Sequence, residues 1–410
     1  MSEAGALQGI RVLDLSGEAG QYCGKLMGDL GADVIKIEPP GGDAVRQLGP
    51  FYEDEASIDR SLYWHAMNTS KRAVTLNLET DKGRDLLWRL LDTADVLLES
   101  FQPGTLQRWG FGFAALHQQQ PHLILTSVTP FGQTGPYRDL QGTELEALAL
   151  GGFLAVCGDS DRPPMRVSAP QATLFASLSA FTGTMLAYYH RLRGGDGQHV
   201  DVSMQECATN LHYAQMIWNT YGVVSSRMGT SLLLGPNLYI PIGFPCKDGY
   251  VQALTALSWD TFIPWMAEHD MAGDLTTDEW QERLQTLATD WTQEQVDHAH
   301  ELVAAFFAEF TKKELYDEGT KRRQLLYPVQ NVRDCLEDVQ LQAREYFVEV
   351  EVPAFDRSLT YPGAPMRFSA TPWQIRGPAP SLGAHNAAIY GSDLGLSDAE
   401  RAALQQEGVI

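Results

Sequence analysis

Between residues 10 and 38, two short apolar strands flank one helix. This unit limits the possible folds more than any other stretch. Ile10, Val12, Leu13 and Leu15 form one apolar run; Val34, Ile35 and Ile37 form the next. Between them lie a turn with Gly17 and Gly20, a helical pattern over 22–30 and a break at Gly31. A strand, a helix and a strand within about 30 residues make a βαβ unit, whose strands run parallel. The turn has no G-x-G-x-x-G, so it reads as a tight βα turn and not as a dinucleotide fingerprint.

The alternation continues. A strand with β-branched residues follows Asn68. Leu86, Leu87, Leu90 and Leu91 share one face of a helix over 81–91, with Asp81 as its N-cap. A strand at 95–99 breaks at Ser100-Phe101-Gln102-Pro103-Gly104, and another spans 123–128. The expectation is an α/β fold with a large Rossmann-like parallel-sheet domain. Residues 171–191 are small or apolar almost all round, which predicts a helix buried on every side.

Beyond 225 the pattern changes. Gly235-Pro236-Asn237 and Pro241 interrupt it, and Lys247-Asp248-Gly249 marks a hairpin. Helices rich in Trp, Asp and Glu are expected over 259–267, 278–289 and 292–310. The organisation predicted is a large domain over 1–224, a small α+β domain over 225–325, and a segment over 326–410 returning to the large domain. The proline-rich tail after Tyr361 should wrap over a partner or the first domain.

The chain carries 30 basic against 52 acidic residues, a net charge of −22. That argues against nucleic-acid binding and against anionic membranes, which both need clustered Lys and Arg. A local basic pocket is still allowed. Five scattered cysteines form no C-x-x-C pair, so no metal site is expected and a reducing compartment is. Met1 to Gly9 lacks a basic segment followed by an apolar core, and no apolar run approaches the ~20 residues of a membrane span. A cytoplasmic location is the expectation.

Several motifs follow one another in order. They are Val12-Leu13-Asp14, Gly31-Ala32-Asp33-Val34-Ile35-Lys36-Ile37-Glu38-Pro39, Gly41-Gly42-Asp43 with Arg46, and Asn68 with Lys71-Arg72. Then come Glu99-Ser100-Phe101 with Pro103-Gly104, Phe131-Gly132-Gln133-Thr134-Gly135-Pro136-Tyr137, Gly195 to Ser203 and Pro378 to Asn386. Over nearly the whole chain this order resembles the family III CoA-transferases.

The resemblance implies an interlaced dimer of subunits, each with a large Rossmann-like and a small domain. CoA or acyl-CoA would be a substrate, with no permanently bound cofactor. Leu76, Ser100, Phe101, Arg108 and Trp109 would line its nucleotide end, with Arg46, Lys71 and Arg72 as nearby cations. The family's nucleophile is an Asp at the start of the long helix. Counting back from Arg191 and Gly195 puts that column on Thr173, and no Asp or Glu occurs between Asp161 and Asp196. A hydroxyl cannot form the acyl anhydride that the chemistry needs. The family's acidic residue before the small-residue run falls on Glu144. The racemase His before it is Thr143, so racemisation is not expected.

The chain is therefore similar to the aspartate-lacking subunit of heteromeric members such as those acting on benzylsuccinate. The implied partner is a homologous Asp-bearing subunit, in an interlaced heterodimer or heterotetramer. The implied small-molecule partners are an acyl-CoA and a carboxylic acid. Two alternatives stay open: a homodimeric acyl-CoA isomerase or lyase using Glu144, and a non-catalytic acyl-CoA-binding protein.

Overall fold

The computed structural model describes residues 5–159, 161–222, 227, 229–234, 238–255, 258–284, 286 and 290–410. The break at 235–237, the boundary at 224/225 and the end of the helix expected over 278–289 lie outside the described residues.

Six strands form one sheet: β1 (Arg11–Asp14), β2 (Asp33–Glu38), β3 (Lys71–Thr75), β4 (Val96–Glu99), β5 (Ile124–Thr129) and β6 (His199–Ser203). Their order is β3-β2-β1-β4-β5-β6, and every neighbouring pair is parallel. This order is doubly wound, and its strands are parallel as the opening βαβ unit predicts. β4 and β5 are buried along their whole length, as strands covered on both faces must be. Leu13, Ile35, Val74 and Leu97 share one core with Leu86, Leu87 and Leu90 of the helix Asp81–Leu91.

β3 is an edge strand, and the tail covers it. Ala73 N donates to His385 Nδ1 (3.1 Å) and Thr75 N to Asn386 Oδ1 (2.9 Å). The Tyr390 hydroxyl donates to Thr75 O (2.7 Å), and Asn77 N to Val409 O (2.8 Å). The backbone groups that an open edge would offer to another chain are satisfied within the molecule.

Two expectations need correction. The N-cap of helix Asp81–Leu91 is Thr80, whose hydroxyl accepts from Gly83 N (3.0 Å), so Asp81 is the first helical residue. The long helix, Gln171–Leu192, is not buried on every side. Ala172, Ala176, Ala180 and Ala187 pack inward, whereas Leu178, Leu186, Tyr189 and Leu192 are exposed. Its small residues form a stripe that allows close packing; its large ones lie on the opposite side.

The chain divides into two compact units. One is Met1–Phe153, Val167–Ala214 and Gln340–Ile410; the other is Leu154–Arg166 and Gln215–Val339. The second unit thus runs past 325, because Leu326–Pro328 pairs antiparallel with Gly249–Ala253. That strand also forms the hairpin expected at Lys247-Asp248-Gly249, with Gly243–Cys246. Phe262, Trp265, Phe306 and Phe307 centre this unit's own core. Among the described residues, no helix is long and apolar enough to cross a membrane, and no cluster of His, Cys, Asp and Glu could hold a metal ion.

Candidate active site and nucleotide cleft

In an open parallel sheet, ligands bind beyond the carboxyl ends of the strands, where the strand order reverses. Here that point lies between β1 and β4. Gly17 N, in the turn after β1, donates to Ser100 Oγ (2.8 Å), just after β4. A cleft of about 380 Å³ opens there, with Leu15, Ile37, Leu76, Ser100, Phe101 and Trp109 among its lining residues. Phe101 and Trp109 meet edge to face, with centroids 5.2 Å apart. Four of the residues assigned to the nucleotide end thus come together around an apolar slot. The fifth, Arg108, precedes Trp109, is exposed, and donates from Nη2 to Thr105 Oγ1 (2.9 Å).

The other three expected cations behave differently. Arg46 is 1% exposed, and all five of its donors are used. Nε and Nη2 grip the Glu38 carboxylate (2.6 and 2.9 Å), Nη1 donates to Asp59 Oδ1 and Ile58 O, and Nη2 also reaches Pro380 O. Lys71 Nζ donates to Asp14 Oδ2, Gln21 O and Asn68 Oδ1, each at 2.8 Å, which exhausts an ammonium's three protons. Arg72 grips Asp33 at the start of β2, at the opposite end of the strands from the cleft. In this structure the donors of Arg46 and Lys71 go to protein acceptors, and Arg72 points to Asp33. In an acidic chain their nearest carboxylates claimed them first.

The buried charges instead shape the turn that borders the cleft. Asp14 Oδ1 accepts from Ser16 N (2.9 Å) and Ser16 Oγ (2.6 Å). Lys36 Nζ donates to Ser16 O and pairs with Asp43 at 2.8 Å. Burial would lower the Lys36 ammonium, but Asp43, Asp14 and Glu38 together raise it. For Lys71 burial wins against Asp14, and its pKa lies below the usual lysine value.

A second cluster surrounds the start of the long helix. Its first turn holds no acid of its own. Glu144, the first residue of helix Glu144–Leu150, supplies one from outside. Its Oε1 accepts from Ala172 N (2.9 Å), and its Oε2 from Thr173 N and Thr173 Oγ1 (both 2.8 Å). A carboxylate there satisfies orphan amides and faces the positive end of the helix dipole. Glu144 and Thr173 therefore touch.

Glu18, which the sequence reading missed, joins them from the turn after β1. Desolvation raises its carboxyl pKa, the Tyr63 hydrogen bond (3.4 Å) opposes this, and the charge of Glu144 adds to it. Ser177 Oγ of the long helix donates to Ala19 O (2.7 Å), tying helix to turn. The one sequence signal for Glu18 was its place beyond the carboxyl end of a first parallel strand. The histidines pack: His65 Nε2 meets Asp59 O (3.0 Å), His199 Nε2 meets Ser127 Oγ (2.9 Å) and His212 Nε2 meets Gly151 O (2.8 Å).

The α/β fold thus places an apolar slot at the switch point and carboxylates at a helix N-terminus beside it. The chain belongs to CoA-transferase family III, whose family model matches residues 7–386. It is 32% identical over 389 residues, 92% of each chain, to a subunit of succinyl-CoA:(R)-benzylsuccinate CoA-transferase from Thauera aromatica. It is 34% identical to succinyl-CoA–D-citramalate CoA-transferase from Chloroflexus aurantiacus, covering 98% of each chain. Among solved structures it is similar to a CaiB/BaiF family protein from Brucella suis, with a TM-score of 0.82 and 28% identity over 95% of this chain and all of that one.

Proposed function

We propose that this chain is one subunit of a heteromeric CoA-transferase. The enzyme would move CoA from succinyl-CoA to a substituted succinate such as benzylsuccinate, within an interlaced assembly. A homologous subunit would supply the nucleophilic aspartate, and this chain the fold, the interface and a CoA-binding surface.

One observation carries the reading. At the nucleophile column stands Thr173, whose hydroxyl donates to Glu144 at 2.8 Å. The reaction needs a carboxylate oxygen that attacks the thioester carbonyl and expels CoA thiolate, leaving a mixed anhydride. Attack by threonine would leave an unactivated ester. Glu144 is a carboxylate, but both its oxygens are bound by three donors. Hydrogen bonds to the charged form stabilise that form and weaken it as a nucleophile.

The test is thioester exchange by the purified chain, alone and mixed with an Asp-bearing homologue, with native mass spectrometry of the mixture. Exchange is expected only from the mixture, in a complex containing both chains. Brisk exchange by the chain alone would overturn the reading. The Glu144–Thr173 contact favours a second reading, an acyl-CoA isomerase or lyase acting through Glu144; activity of the lone chain that Glu144→Gln abolishes would establish it.

Thr173→Asp is expected not to restore exchange. The substitution would supply a carboxylate but not the donors that the anhydride oxygen needs. Exchange by the lone variant at a rate matching the mixed assembly would refute this.

A further inference from the structure

A CoA nucleotide brings a diphosphate and a 3′-phosphate, and the cleft must meet them with donors that are not already used. Arg46 and Lys71 have none left. Arg72 lies at the far end of the strands, gripping Asp33. Resting on the CoA-surface reading above, we propose that Arg138 joins Arg108 in a two-guanidinium clamp for a phosphate of that nucleotide.

Gly104 locates the clamp. Its φ of +85° is a conformation that favours glycine. The point where a Cβ would stand lies 3.2 Å from Arg138 Nη2 and 3.9 Å from Arg108 Nη1. Two like charges therefore reach the same spot from different parts of the chain. Arg108 comes from the helix Thr105–Arg108. Arg138 comes from the turn after β5, where Arg138 N donates to Gly135 O (3.3 Å). Gln102 Nε2 donates to Arg138 O (3.4 Å), which ties that turn to the loop after β4.

Neither arginine is compensated in the way that Arg46 is. Among the described residues Arg108 has no ion pair, and its side-chain hydrogen bond goes to the neutral Thr105. Arg138 Nε is buried without a hydrogen-bond partner among the described residues, and Asp139 stands 3.8 Å from it. Convergent guanidiniums repel each other unless an anion lies between them, and their forked donors match phosphate oxygens. The position suits the ligand. Phe101 is three residues before Gly104, and Trp109 follows Arg108; both line the apolar slot. The base would occupy the slot while a phosphate is held at its rim.

The test is calorimetric titration of the full chain and of Arg138→Ala, Arg138→Gln and Arg138→Lys with CoA, 3′-dephospho-CoA and pantetheine. A charge-assisted hydrogen bond is worth about ten- to a hundredfold in affinity. Arg138→Ala and Arg138→Gln should therefore weaken CoA by at least about tenfold, with Arg138→Lys recovering part of the loss and pantetheine unaffected. If 3′-dephospho-CoA is insensitive to the substitution, the clamp holds the 3′-phosphate; if it loses as much as CoA, the clamp holds the diphosphate. CoA affinity within twofold of the parent in all three variants would overturn the proposal. A parent chain that does not bind CoA at all would overturn the CoA-surface reading with it.

Discussion

Lys71→Met should lower the unfolding free energy by about 3–5 kcal/mol, the usual loss when one partner of a buried ion pair is removed. Lys71 and Asp14 are both wholly buried as side chains and 2.8 Å apart. Without the ammonium, Asp14 keeps Ser16 as a donor but loses its counter-charge. Gln21 O and Asn68 Oδ1 lose their donor as well. The turn leading from β1 to Gly17 depends on this network, so CoA affinity should fall with stability. Denaturant unfolding of Lys71→Met, Asp14→Asn and the double variant separates the pair from its surroundings. The double variant should be more stable than Lys71→Met, because no buried charge is left alone. A loss below about 1 kcal/mol in Lys71→Met would show that the pair is not needed there.

This network also marks where sequence reading stops. The parallel sheet followed from alternating apolar runs and glycine turns, and the hairpin at Lys247-Asp248-Gly249 from its turn residues. These are local signals, and the backbone obeys them. Leu76, Ser100, Phe101 and Trp109 were found because motif order placed them, and they do meet at the switch point. The partners of the cations were not legible for a physical reason. A basic residue beside a motif looks the same whether it faces a phosphate or a carboxylate. Arg46 meets Glu38, eight residues earlier, only because the loop after β2 folds back. Lys71 on β3 meets Asp14 on β1 across the intervening β2. Glu18 and Arg138 escaped notice for the converse reason: their neighbours are distant in sequence and carry no spacing to read. The long helix shows a third limit. Composition predicted burial all round, but which face stays exposed depends on what packs against it.

Glu99 should give the protein a measurable pH dependence near neutrality. It ends β4, is 4% exposed, and accepts from Phe101 N at 2.7 Å. Burial raises its carboxyl pKa to about 7 from 4.5, against the hydrogen bonds from Ser127 and Phe101, with Asp201 adding to the rise. A raised carboxyl pKa means that the folded state holds a proton the unfolded chain has released. The stabilising contribution is complete below about pH 4.5, falls as pH rises, and is gone above about pH 7. The shift from 4.5 to about 7 corresponds to about 3–4 kcal/mol. Four buried or half-buried histidines shift with the opposite sign: burial lowers His65, His199, His300 and His385. Their neutral forms are favoured by folding, so they add stability as pH rises. The readout is therefore the difference between the parent and Glu99→Gln, which keeps an acceptor for Phe101 N and cannot ionise. That difference should shift in favour of the variant between pH 5 and pH 7.5. Parallel stability profiles would mean that Glu99 stays ionised in the folded protein throughout that range.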